Sequence, residues 1–256
     1  MLFRLPGNVR GKTGIGFGGD SLWKRTAFQK KLIWKKIAEL PFNPAKLTTI
    51  CAEDRAFLYG LMEYLPIRQH IPTAYFSLRA LKEQFASELL RFVSGIHGDM
   101  LGEDDCRNLV KTAGILAESP LYVHDMSPIP VSEMNRLLQE FQGDTPKLVL
   151  IDDLGLISAE DDSGNAACQS ENAGILRDLK EMAKSQNVSV AVLKQISDIS
   201  ANQNRMPEIA ESLKRETLGI ADNIVFLKNY CRLAGLLGSM LFPPRSLAKP
   251  VSDTFF

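Results

Sequence analysis

No apolar run in this 256-residue chain reaches the ~18 residues that a helical membrane span requires. Nothing in it combines a short apolar core with a small-residue cleavage site, so no secretory leader is expected. Cysteine is scarce. Cys51, Cys106, Cys168 and Cys231 lie tens of residues apart, without the close pairs that zinc sites use, so reduced thiols in a cytosol-like compartment are expected. No tract is dominated by one or two residue types and no internal repeat is evident, which excludes solenoids and arrays. With 45% apolar and 23% charged residues, the composition is that of an ordinary folded protein. The length suits one large α/β domain with an extension, or two smaller units.

Net charge is absent as well, with 30 basic against 30 acidic residues, but the balance conceals an asymmetry. Residues 1–48 carry ten Lys and Arg against two acids, a local +8 that leaves −8 on the remainder. The basic residues of this arm are Arg4, Arg10, Lys12, Lys24, Arg25, Lys30, Lys31, Lys35, Lys36 and Lys46. Such an arm suits nucleic acid, an anionic surface or the acidic face of a protein. An organelle transit segment is the weaker reading, because Gly7, Gly11, Gly14, Gly16, Gly18 and Gly19 interrupt any helix. From residue 21 to 40, Leu22, Phe28, Leu32, Ile33, Ile37 and Leu40 recur at helical spacing between lysines, predicting a basic amphipathic helix. Trp23 and Trp34 fall in this region, either packed within the chain or anchoring it to a partner.

Beyond Pro44, strand and helix patterns alternate, as in a mostly parallel sheet covered on both faces. Strands are predicted near residues 47–51, 73–78, 121–124, 147–151, 188–193 and 223–227. Helices are predicted near 55–65, 81–93, 103–118, 131–141 and 172–186. The fourth strand is the most informative, since its apolar run enters Asp152 directly and turn residues follow. The carboxyl ends of parallel strands face the ligand crevice, so Asp152 stands where a nucleotide-binding sheet holds phosphate-bound Mg²⁺. A core strand leaving at a polar turn gives the same pattern.

Several segments in order carry a resemblance: Tyr75-Phe-Ser-Leu78, Glu83-Gln84, Ser119-Pro-Leu-Tyr-Val-His-Asp125, Val131-Ser-Glu133, Leu148-Val-Leu-Ile-Asp152 and Leu154-Gly-Leu-Ile-Ser158. Residues 175–184, 188–196 and 221–227 continue it. Across roughly residues 45–240 the chain resembles the C-terminal RecA-like motor domain of DnaB-type replicative helicases. That resemblance implies a RecA-like α/β fold with helices flanking a mostly parallel sheet. It makes Asp152 the end of the Walker B strand and likens Gln195 to the residue that senses the γ-phosphate.

The chain departs from that family at the chemistry. The family's phosphate loop is glycine-rich and ends in Gly-Lys-Thr, whose backbone N–H groups cradle phosphates. Here the stretch reads Cys51-Ala-Glu-Asp-Arg-Ala-Phe-Leu58, with no glycine and no Lys-Thr. Glu53 and Asp54 would repel a triphosphate, and Arg55 offsets them in part. The family's catalytic glutamate closes a Phe-Ser-Leu-Glu motif, whereas this chain has Phe76-Ser77-Leu78-Arg79. An arginine accepts no proton, so ATP hydrolysis is not expected. The Gly-x-x-x-x-Gly-Lys-Thr-like residues 7–13 are one spacer short, follow a poor strand at residues 1–6 and precede no helix. Lys228 and Arg232 before Gly235-Leu-Leu-Gly238 keep the flavour of the family's trans-acting finger at altered spacing, and a turn before a strand at 239–242 explains them equally well.

Single-stranded DNA is gripped by basic loops. Between Leu148 and Leu176 there is no Lys or Arg, but there are Asp152, Asp153, Glu160, Asp161, Asp162 and Glu171, so that loop is expected to repel DNA. Residues 197–215 offer only Arg205, Lys214 and Arg215 beside three acids. His70, His97 and His124 show no ligand or triad spacing. The end of the chain, Ser-Asp-Thr-Phe-Phe256, reads as a tail folded onto its own domain or as a docking peptide.

These readings give a basic arm and helix at 1–44, a RecA-like domain at 45–242 and a Pro-containing tail at 243–256. The expected function is that of a catalytically degenerate motor-domain relative, an assembly or regulatory subunit that binds a replicative helicase, another replication factor or itself. No cofactor, metal or membrane is expected, and the location is cytoplasmic. An active ATP-dependent DNA helicase, using ATP and Mg²⁺ at a divergent site, is the first alternative. A nucleic-acid binder working through its N-terminal arm is the second.

Overall fold

Alternation along single strands decides the architecture. In the computed structural model, which describes residues 3–4, 34–35, 37–52, 56–96, 102–141, 145–158, 168–195, 219–227 and 254–255, even and odd positions of the central strands face two different cores. Tyr75, Leu148, Leu150, Ala191 and Leu193 join one cluster with Phe57, Leu61, Phe85 and Leu89. Ala74, Phe76, Val149, Ile151, Val190 and Val192 join the other with Met134, Leu176, Leu179 and Met182. Strands buried on both faces need helices on both sides, and the chain supplies them.

The strands are β1 (Phe3–Arg4), β2 (Leu47–Ala52), β3 (Thr73–Ser77), β4 (Leu121–His124), β5 (Ile129–Pro130), β6 (Leu148–Asp152), β7 (Ile157–Ser158), β8 (Ser189–Gln195), β9 (Asn223–Leu227) and β10 (Thr254–Phe255). The α-helices are α1 (Ala56–Met62), α2 (Lys82–Ser94), α3 (Glu103–Glu118), α4 (Val131–Gln139) and α5 (Cys168–Ser185). Among the described residues the main sheet runs β1-β4-β3-β6-β8-β2-β9-β10, and β5 pairs with β7 apart from it. All pairings are parallel except β1 with β4. The mostly parallel, helix-flanked sheet expected of a RecA-like domain is therefore present.

The helices follow from their apolar spacing. α2 buries Phe85, Ala86, Leu89 and Phe92 along one stripe and stops at Gly95, whose φ of 71° suits a residue without Cβ. α5 buries Ile175, Leu176, Leu179, Met182 and Ala183 on the opposite side of the sheet. The first helix runs longer than the sequence pattern suggests. It continues past Met62 as a π-helical segment, Glu63–Arg68, through Pro66, whose missing N–H deprives a wider turn of little.

Of the two terminal segments, the first differs from expectation. Residues 1–6 look like a poor strand, yet Phe3–Arg4 pairs antiparallel with β4 at the sheet edge. Edge pairing needs only free backbone groups, and sequence pattern does not report those. At the other end Thr254–Phe255 pairs parallel with β9, the folded-back arrangement of the tail. Trp34 packs within the chain. Its ring stacks on Tyr64 at 6.4 Å between centroids, and the Arg68 guanidinium lies 3.8 Å from the Trp34 centroid. Arg68 also pairs with buried Glu63 at 2.8 Å. Most of the amphipathic segment 21–40, the residues 7–13, and the expected strand at 239–242 lie outside the described residues. Among the described residues no helix is long and apolar enough to cross a membrane.

Candidate functional site

The carboxyl ends of β2, β3, β6 and β8 lie side by side, which is where an open parallel sheet exposes its ligand crevice. Register sets which residues meet there. Ser77 is opposite Asp152, Asp152 is opposite Leu193, and Ala52 is opposite Gln195. The four strand ends thus bring Asp152, Arg79 and the Gln195 backbone into one neighbourhood. The side chain of Gln195 lies outside the described residues.

Asp152 is the last residue of β6 and only 3% exposed. It shares a strand face with Leu150 and so points toward Tyr75, whose hydroxyl donates to its Oδ2 at 3.2 Å. The Asp152–Asp153 peptide is cis. Asp153, 5% exposed, turns the chain into a short 3₁₀ segment, Leu154–Leu156, by accepting the Gly155 N–H on Oδ1 at 2.7 Å. On the neighbouring strand, Leu78 N–H donates to the Asp152 carbonyl at 2.8 Å, which carries β3 one residue further and aims Arg79 across the strand ends. The Arg79 guanidinium donates to Asp153 Oδ2 at 2.5 Å, and its Nε stands 4.0 Å from Asp152 Oδ1.

The sequence pattern puts Asp153 in a DNA-repelling surface loop together with Asp152. Asp153 is instead buried, like Asp152, and takes the closer contact with Arg79. The adjacent acids after β6 are the one available signal, and hydropathy cannot say which acid of such a doublet turns inward. Tyr75 is the other contributor that sequence reasoning misses. It sits two residues before Ser77 on the same face of β3, so only the register with Asp152 reveals it.

A second ion pair flanks the first. Asp125, just after β4, accepts the Lys82 backbone N–H at 2.9 Å and lies 3.8 Å from its Nζ. This carboxylate caps the first turn of α2, where the helix dipole favours negative charge. His124 is buried, with its ring 5.5 Å from Phe76 in an edge contact, as suits a strand-end residue.

The other predicted site residues fall elsewhere. Arg55, Lys228 and Arg232 are outside the described residues, as are Arg10, Lys12, Lys24, Arg25, Lys30, Lys31 and Lys36. The backbone of Arg4 belongs to β1, and Lys35 is exposed. Among the described residues no three His, Cys, Asp or Glu converge as metal ligands.

β2 ends at Ala52 and α1 begins at Ala56, so only Glu53, Asp54 and Arg55 join strand to helix. That junction is shorter than the glycine-rich strand-to-helix loop with which P-loop proteins cradle phosphates, and it holds no glycine. A cation already sits at the carboxylates. Unit charges about 4 Å apart interact by roughly 4 kcal/mol at an effective dielectric of about 20, and a divalent ion beside the guanidinium would feel about double. What the cluster can do is hold the ends of β3 and β6 together. Within it the residue after Leu78 is a guanidinium, which accepts no proton.

A family model described as DnaB-like helicase C terminal domain matches residues 49–230. The replicative DNA helicase DnaB of Synechocystis sp. is 30% identical over 165 residues, which is 61% of this chain and 18% of that protein. The DnaB of Nostoc sp. is 29% identical over 67% of this chain and 20% of its own length. The replicative DNA helicase DnaC of Bacillus subtilis is 28% identical over 67% of this chain and 39% of its own length. The chain therefore spans about a fifth of the length of the first two relatives. Two solved structures share the fold. One, an ATPase domain, superposes with a TM-score of 0.64 at 19% identity, covering 78% of this chain and 81% of that one. The other, a structure of a DnaB-like replicative helicase and its interactions with primase, gives 0.65 at 18% identity, covering 79% and 58%.

Proposed function

Because this chain belongs to the family of DnaB-like helicase C-terminal domains, we propose that it is a catalytically degenerate member, an assembly or regulatory subunit that docks on a replicative helicase, another replication factor or its own copies. The observation that carries this reading is the three-residue junction between Ala52 and Ala56, filled by Glu-Asp-Arg. A protein that cannot enclose a triphosphate keeps only the surfaces of the fold. Primase is one replication protein to try as a partner, since one similar structure describes a helicase of this type with its primase interactions. The N-terminal arm, +8 over residues 1–48, would add affinity for an acidic partner or for DNA.

The reading that competes is an active, divergent ATP-dependent helicase, favoured by the buried Asp152 at the end of β6 with the hydroxyl of Tyr75 on it. Calorimetric titration of the full chain with ATP and Mg²⁺ separates the two. The expected result is no saturable heat up to about 1 mM nucleotide, a dissociation constant worth under about 4 kcal/mol. Light scattering should then show a self-assembly or a complex with a replicative helicase or primase. Micromolar ATP binding, or turnover abolished by Asp152→Asn, would overturn the degenerate reading.

A further inference from the structure

The two carboxylates at the end of β6 are almost wholly removed from solvent, at 3% and 5% exposure, and an ionised acid so placed demands a positive charge. In P-loop NTPases the acid at this strand end meets that demand by helping to hold Mg²⁺. Here the demand is met from within the chain. We propose that Arg79 is a tethered counter-cation that replaces the divalent ion at Asp152 and Asp153, so that the two buried acids are balanced with no metal or nucleotide. This rests on the degenerate reading above and extends it to the metal-binding half of the site.

Three features support the assignment. The guanidinium reaches both acids, at 2.5 Å from Asp153 and 4.0 Å from Asp152, and so lies within ion-pair range of each. Its planar fork of N–H donors matches the geometry of carboxylate oxygens better than a point charge does. Its backbone follows β3 directly, fixed beside β6 by the Ser77–Asp152 register and the Leu78 N–H to Asp152 carbonyl bond. A charge tethered this way is present at the acids whatever the concentration of dissolved ions. An ordinary exposed ion pair would be a weaker reading, since the acids are buried and only the Arg79 side chain, at 36%, meets solvent.

The test uses Mn²⁺ alone, with no nucleotide, followed by the loss of free-ion paramagnetic signal and by thermal unfolding. Wild type and Arg79→Lys, which keeps the charge, are expected to take up no Mn²⁺ at this site. Arg79→Ala is expected to bind at least about tenfold more tightly and to gain melting temperature as Mn²⁺ is added, a response that Asp152→Asn in the same background removes. If Arg79→Ala fails to fold, adding Asp153→Asn should restore folding by removing the unbalanced charge, and continued failure would overturn the counter-cation. So would a folded Arg79→Ala chain indifferent to Mn²⁺. Uptake by wild type that Asp152→Asn abolishes would also overturn it. That last result without ATP binding would leave the assembly reading standing, whereas ATP turnover would sink the assembly reading by itself.

Discussion

The two ends of the sheet carry similar charge clusters with different consequences. At the carboxyl ends, Arg79 balances two buried acids that lie where parallel sheets bind ligands. At the amino ends, Asp222 accepts the Leu47 N–H at 3.0 Å and pairs with Lys46 at 3.2 Å and Lys180 at 3.3 Å. Lys180 also donates to the Ile220 carbonyl at 2.7 Å. The lower cluster staples the entry to β9 against β2 and α5, and that is a structural task. Composition would rank them alike, since each is a small group of opposite charges. Position in the topology and desolvation separate them: Lys46 is about half exposed, while both acids of the upper cluster are buried.

The sharpest way to break this contrast is to reverse charge at each end. Arg79→Glu would place a third carboxylate on two buried ones and should cost about 3 kcal/mol or more, because an uncompensated buried charge remains. Lys46→Glu should cost under about 1 kcal/mol, since water screens the exposed partner. Urea unfolding midpoints measure both, and equal losses would erase the distinction between the two ends. A smaller effect is expected from Tyr75→Phe, which removes one hydroxyl donor from Asp152 and keeps the ring against Phe85, 4.5 Å away between centroids. Loss of about 1 to 2 kcal/mol is expected, and a neutral result would mean that water replaces the hydroxyl.

The gentlest probe is acid. Burial pushes the Asp222 carboxyl up, but the Leu47 N–H and the ammonium groups of Lys46 and Lys180 outweigh it and hold the group below its ordinary 3.8. A carboxylate depressed in the folded state stabilises above its unfolded value, and that contribution fades as pH falls through the folded one. The gap in melting temperature between wild type and Asp222→Asn should therefore be level from about pH 8 to pH 5 and close below about pH 4. Its full size should be about 1 kcal/mol. A gap that widens in acid would show that Asp222 is not held by these cations.

Much of the fold is legible in the sequence because its signals are local. Alternating segments predict the parallel strands and flanking helices, and the apolar run into an acid finds Asp152. Asp153 is misplaced for a physical reason. Its partner, Arg79, is 74 residues away and becomes a neighbour only because β3 and β6 pair with Ser77 opposite Asp152. Trp34 is ambiguous for a related reason, since Tyr64 and Arg68 complete its packing only once the first helix runs on through Pro66.

The sequence by itself determined the class of fold, the glycine-free Glu-Asp-Arg stretch after the strand that ends at Ala52, and the arginine that follows Leu78. Hydropathic period and residue identity are properties of short segments, and these follow from them. Only the tertiary structure decided that this arginine reaches across the strand ends to a pair of buried acids. Which charges meet depends on strand order and register, and those are set by how the two cores close on either face of the sheet.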